Sequence, residues 1–251
     1  MKVIITILFL FTVTNFLLGQ TLDEVLEKHY NAVGMEYLKD VQTIRYDGNY
    51  NNKFLEKISS NLPEKLIKPD FTIWIKNRIG YRLYVKSDPG EFTNGYFNGR
   101  YWQNQNGNLD RNWNPGVPDR RIIIQETDLQ GFLYDWENKG YRLTRLDDVE
   151  IKNIRHYRLR LVNSEKDSLY YFINKRSNLI SYISYGYDLS DGTPCENVEY
   201  HNYKKVKNVN IAFKRVYNTQ MLDGSYGVKE MEIKKVQINP VFDKELFNAN
   251  Y

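Results

Sequence analysis

Three histidines, one cysteine and a pair of adjacent aspartates are where chemistry would first be sought in this chain of 251 residues. None of them forms a reactive constellation. His29, His156 and His201 fall in a helical segment and two separate strand segments, without the spacing of a metal-ligand motif. Cys195 stands alone in DGTPCE, a turn followed by an acid. It has no partner for a disulfide within the chain and no base to make a reactive thiolate, so a structural role is expected. Asp147 and Asp148 are neighbours and would point to opposite faces of a strand; a turn is their expected home. Glycoside hydrolysis needs two opposed carboxylates, and nothing singles out two of the 31 acids. There is no GxSxG elbow and no glycine-rich phosphate loop. The expectation is therefore no catalytic residues, no metal, no cofactor and no enzymatic activity.

What remains is binding chemistry. The stretch FNGRYWQNQNGNLDRNWNPG, Phe97–Gly116, joins Trp102 and Trp113 to a run of asparagines. Asn98–Gly99 and Asn106–Gly107 are tight hairpin signals, because a primed turn needs positive φ at both central positions. Turn geometry alone explains the asparagines. The two tryptophans pack across neighbouring strands or face a ligand; the sequence leaves both open. Basic residues interleave with tyrosines in YRLYVK and HYRLRL, which matches an outer sheet face wetted by Arg and Lys. The net charge is only +4 and scattered, unlike the concentrated basic face of a nucleic-acid binder, so no nucleic-acid partner is expected.

The elements that must position these residues are mostly strands. Aromatics make up 15% of the chain, with 21 tyrosines, a composition suited to half-buried pleated surfaces. The opening MKVIITILFLFTVTNFLLGQ reads as a secretory signal peptide over residues 1–19. It is short for a membrane span, so export and no transmembrane segment after its removal are expected, with residues 20–251 as a single domain. Thr21 and Glu24 have capping-box spacing, and Leu22, Val25, Leu26, His29 and Val33 recur at helical period, with Gly34 as the stop. Residues 51–69 read as a long loop. Leu129, Phe132, Leu133 and Trp136 predict a second helix over Asp128–Lys139. From Tyr141 onward short strands and turns alternate, which predicts an antiparallel sandwich or barrel. In RHYRLRL, Tyr157, Leu159 and Leu161 take the buried face and His156, Arg158 and Arg160 the wet one.

The order of these pieces resembles a known family. It includes DEVLEKHYNAVG near the start, a G-x-x-W unit at Gly99–Trp102, a helix ending in KGY, then LYYFINKRSNLI, VEYHNYKKVKNVNIAFK and the closing INPVFDKELF. Together they are similar to the outer-membrane lipoprotein-sorting-like proteins of Gram-negative envelopes, related in fold to the carriers LolA and LolB. Val33, Asn208 and Ala212 depart from the glycine, glycine and proline usual there. The resemblance implies a mainly β fold, an incomplete antiparallel β-barrel covered by a few helices, in a periplasmic protein. It implies a concave apolar face where lipid or lipoprotein acyl chains bind without enzymatic action. Alternation then nominates Ile73, Ile75, Leu83, Val85, Leu159 and Leu161 as cavity lining, with Trp102 and Trp136 near its rim. The rival expectation is an envelope protein- or glycan-interaction module whose hollow is filled by its own side chains; a hydrolase ranks third.

Overall fold

A computed structural model of the chain describes residues 20–52, 68–88, 90–163, 168–185, 197–220, 226–243 and 245–249. The signal segment, Cys195 and most of the 51–69 loop lie outside these residues. The first element is helix α1 (Leu22–Val33), closed at its start by the reciprocal Thr21–Glu24 capping box. Gly34 ends it at φ 82°, and a Cβ there would stand 2.2 Å from the Asn208 carbonyl oxygen. Only glycine permits both the left-handed backbone and this approach. A single turn, α2 (Met35–Leu38), follows.

Among the described residues, thirteen strands then form one antiparallel sheet. They are β1 (Thr43–Asn52), β2 (Asp70–Lys76), β3 (Gly80–Lys86), β4 (Glu91–Phe97), β5 (Arg100–Gln105), β6 (Asn108–Asp110), β7 (Arg142–Ile151), β8 (Ile154–Val162), β9 (Ser168–Asn174), β10 (Ile180–Tyr185), β11 (Asn197–Val206), β12 (Val209–Gln220) and β13 (Tyr226–Ile238). Their spatial order is β6-β5-β4-β3-β2-β1-β13-β12-β11-β10-β9-β8-β7, so among the described residues β6 and β7 are the edges and the barrel is incomplete. The hairpin turns follow the sequence signals. Asn98–Gly99 and Asn106–Gly107 have φ of 48° and 85°, and 51° and 86°. Asn208, where a glycine is usual, takes φ 67°, a conformation asparagine tolerates.

A third helix, α3 (Val117–Thr127), occupies the hollow of the sheet. The sequence reading missed it, since three consecutive isoleucines blur any helical period; Pro118 in its first turn is the start signal. The helix expected over Asp128–Lys139 does not form. Gly131, Asp135 and Gly140 have φ of 72°, 56° and 73°, and such left-handed residues cannot continue a right-handed helix. The apolar stripe still packs, through a chain of turns. Asp128 anchors that chain through Lys139 at 2.6 Å, and Asn77 Oδ1 accepts the Leu129 N–H.

Two clusters fill the helix-covered face. One joins α2 and Ile123 of α3 to Ile44, Tyr46, Phe71, Ile73, Ile75 and Leu83. The other joins Val25 and Leu26 of α1 and Leu133 to Leu143, Tyr157, Leu159, Leu161 and Ile173. The opposite face is not uniformly wet. His156, expected in solvent, is fully buried there beside Phe172, Tyr170 and Tyr182, with the Tyr182 ring edge-on at 5.6 Å. Asp147 and Asp148 lie not in a turn but in β7, at a register shift between Leu146 and Val149. Asp148 pairs with Arg145 at 2.7 Å and Lys175 at 2.6 Å.

Candidate functional site

The curvature of the sheet is fixed by what gathers around α3. Its Glu126 carboxylate perturbs Tyr50 of β1, Tyr81 of β3, Tyr185 of β10, Tyr200 of β11 and Tyr217 of β12. Residues from strands so far apart in the sheet meet one helix only if the sheet curls round it. Glu126 accepts two hydrogen bonds from Arg215 Nη1 of β12, at 2.5 and 2.6 Å. Arg215 is 7% exposed and Glu126 12%. The guanidinium also stands over Tyr46 at 5.0 Å and Tyr200 at 6.0 Å, where the ring faces attract its charge. Burial opposes that charge, and Glu126 restores it. Gln125 beside it donates to the Tyr200 hydroxyl at 3.1 Å and accepts from the Tyr185 hydroxyl at 2.6 Å. Burial pushes the pKa of these tyrosines up, so they remain neutral donors and acceptors.

On another side of α3, Lys229 holds its ammonium 4.0 Å from the centre of the Tyr50 ring. Lys229 is exposed, yet desolvation beside its neighbours lowers its pKa, which Asp119 partly offsets.

Among the described residues, two cavities border the helix-covered face. The first, of about 180 Å³, runs from His29 and Leu38 under Leu129 and Leu133 to Tyr171, Ile211 and the Arg215 pair. His29 is buried in its wall and donates from Nδ1 to the Asn178 carbonyl at 2.9 Å; burial lowers its pKa. The second, of about 340 Å³, lies between Arg120, Arg121 and Ile124 of α3 and the row Leu161, Leu169, Tyr185 on β8–β10. Phe132 borders both. Among the described residues no group of three His, Cys, Asp or Glu could hold a metal ion, and no described helix is long and apolar enough to cross a membrane.

The nominated residues are placed as follows. Ile73, Ile75 and Leu83 are buried and Val85 half-buried in the first cluster, where they are packed core and line neither cavity. Leu159 is core of the second cluster, while Leu161 lines the larger cavity. Trp136 packs on the second cluster and borders a shallow outer groove against Leu26 and Tyr30 of α1, away from the cavity rims. Trp102 requires the plainest correction. It is on the outer face of the sheet, 4% exposed, and its Nε1 donates to the Phe247 carbonyl at 2.9 Å. Strand alternation sends Tyr101 inward and Trp102 outward. Trp113, by contrast, packs against the inner cluster. The missed residues are polar: Gln125, Glu126 and Arg215. The available signal was Arg215 itself, two residues before Tyr217 on one face of a strand, since a charge at an inward position requires a partner.

No family model matches the chain, and no curated protein matches it either. Solved structures do. A LolA superfamily protein from Nitrosomonas europaea superposes with a TM-score of 0.58 at 11% identity, covering 93% of this chain and 100% of its own. A domain named for outer membrane lipoprotein sorting, from Vibrio parahaemolyticus, gives 0.57 at 12% identity, covering 90% and 96%. A DUF1329 family protein from Desulfovibrio piger gives 0.55 at 11% identity, covering 90% and 98%. The half-barrel is thus a fold this chain shares with these three proteins, a LolA superfamily protein among them.

Proposed function

We propose that this chain is an exported, non-enzymatic binding or carrier protein of the periplasm for an apolar or lipidated ligand. The observation that carries the reading is a curved sheet whose helix-covered face retains unfilled, largely apolar space on both sides of Phe132. Hydrocarbon placed there leaves water, and each Å² of apolar surface so buried contributes about 25 cal/mol. Ligand sites generally enclose about 300–1,000 Å³, and the first cavity alone, at about 180 Å³, is smaller. Loading a long chain therefore requires α3 or the 128–140 turns to shift outward. Uptake and release would use that movement, and the fold shared with a lipoprotein-sorting domain agrees with it.

The test is mass spectrometry of whatever the mature protein carries under native conditions, followed by titration of the stripped protein with a fluorescent acyl probe. A co-purified lipid and saturable probe binding are expected. A protein that carries no lipid and binds no probe is not a carrier of apolar cargo. The buried Glu126–Arg215 pair and the tyrosines around it favour a second reading, an envelope protein- or glycan-interaction module, which that negative result would leave standing.

A further inference from the structure

The larger cavity differs in chemistry from the smaller one. Its floor is hydrocarbon: Leu161 and Leu169 are register partners across β8 and β9, and Leu169 in turn pairs with Tyr185. Its rim is cationic, with Arg120 and Arg121 on α3. Arg120 lines the cavity, donates to Asn114 Oδ1 at 2.6 Å and stands 6.0 Å from the Tyr101 ring centre; a guanidinium carries five N–H donors in all. Arg121 is close enough to Tyr185 for its charge to act on that hydroxyl. None of the described residues lining this cavity is acidic. The next row of side chains along the same strands, Tyr171 and Ile183, already belongs to the first cavity, about 7 Å further on at two residues of strand rise. Phe132 stands at the junction.

We infer that the larger cavity seats a single-chain anionic amphiphile. Its carboxylate or phosphate lies at Arg120 and Arg121, and its chain runs over Leu161 and Leu169 and past Phe132 toward the first cavity. The proposal rests on the carrier reading and narrows it. Charge alone would attract any anion, and apolar space alone any oil; the two side by side select a molecule with both ends. Guanidinium groups supply paired N–H donors that suit carboxylate and phosphate alike, so the head group is defined as an anion.

The experiment compares cis-parinaric acid, a fluorescent fatty acid, with its uncharged methyl ester, on the unmodified protein and on the Arg120→Gln/Arg121→Gln variant. Both side chains are on the surface of α3, and a melting curve checks that the variant folds. The expected result is acid binding about tenfold or more tighter than ester, with the variant losing that preference while its affinity for the ester is unchanged. Equal binding of acid and ester, or a preference that survives in the variant, overturns the proposal and leaves the carrier reading intact. Failure of both probes overturns the two together. Competition by hexadecanoate against hexadecyl phosphate then separates a free fatty acid from a phosphate-headed lipid. Phe132→Ala should raise affinity for long chains more than for short ones, and an equal change for both would place the chain elsewhere.

Discussion

Each face of the sheet sets an arginine among aromatic rings, Arg215 buried on the inner face and Arg82 half-buried on the outer, and the two are tied down differently. On the outer face Arg82 stands 5.7 Å from Trp74 and 5.6 Å from Trp102 and donates to the Leu246 carbonyl at 2.9 Å. With Trp102 holding the next carbonyl, it fastens the C-terminal segment across β3–β5. On the inner face Arg215 is placed between Tyr46 and Tyr200 but holds the carboxylate of a separate helix. Main-chain carbonyls are neutral partners, and releasing them exposes no buried charge. Parting Arg215 from Glu126 leaves two charges stranded unless water or ligand follows. The outer arrangement clamps main chain through neutral carbonyls, whereas the inner one ties α3 to β12 through a charge pair.

The largest expected effect breaks the clamp. Trp102→Ala removes a buried indole together with its hydrogen bond to Phe247 and should cost about 4 kcal/mol in denaturant unfolding. Acyl-probe affinity, measured where the variant is still folded, should be unchanged. A large loss of affinity would show that the outer face contributes to the hollow after all.

The inner tie ranks next. Arg215→Met strands the Glu126 carboxylate and should cost about 3 kcal/mol. The double variant Arg215→Met/Glu126→Gln should recover most of it, because both charges are then gone. Probe affinity should change in either variant, since α3 moves more freely. If the double variant is no more stable than the single one, the pair is not the tie described.

The clearest parts of this architecture were those governed by local rules. Capping by Thr21 and Glu24, the Asn–Gly turns and the period of two in β2, β3 and β8 depend on neighbours in sequence. The alternation of short strands and turns from Tyr141 onward follows from such rules, although Asp147 and Asp148 stay within β7. The hollow was less legible because its contents come from distant elements. Glu126 is in a helix with no amphipathic signature, and its partner is 89 positions away. The stripe Leu129–Trp136 is apolar at helical spacing, but the backbone at Gly131 and Asp135 is left-handed, and side-chain pattern does not report φ. Trp102 shows the limit of alternation: it identifies two faces without saying which one the helices cover. Until α3 is placed against β2 and β3, an outward tryptophan under a C-terminal strap looks the same as an inward one at a rim.

A subtler probe of the clamp is Gly95, the register partner of Trp102. A Cβ there would lie 2.3 Å from the indole, so Gly95→Ala should push the ring outward and cost about 2 kcal/mol as overpacking. Pairing it with Trp102→Ala should relieve that cost, because the ring it strikes is absent. Additive losses in the double variant would mean that the glycine serves the backbone rather than the ring.

The smallest effect compares the faces through their buried histidines, His29 in the wall of the inner cavity and His156 under Tyr182 outside. Burial is the first cause of a lowered pKa in both. Their unfolded value is about 6.5, so the fold favours the neutral ring. The stability this contributes is present above that pH and is lost as pH falls below it, because the unfolded chain then binds protons the native state resists. Denaturant midpoints should therefore decline from pH 7.5 to pH 5. His156→Phe should flatten the decline, since a phenyl ring fits the aromatic cluster and cannot be protonated. His29→Gln should flatten it too, but of the two only His29 lines a cavity. Filling the inner cavity with a bound acyl chain should deepen the desolvation of His29 and steepen the pH dependence that remains in His156→Phe. It should do nothing in His29→Gln, and an equal response in both variants would contradict the division between the two faces.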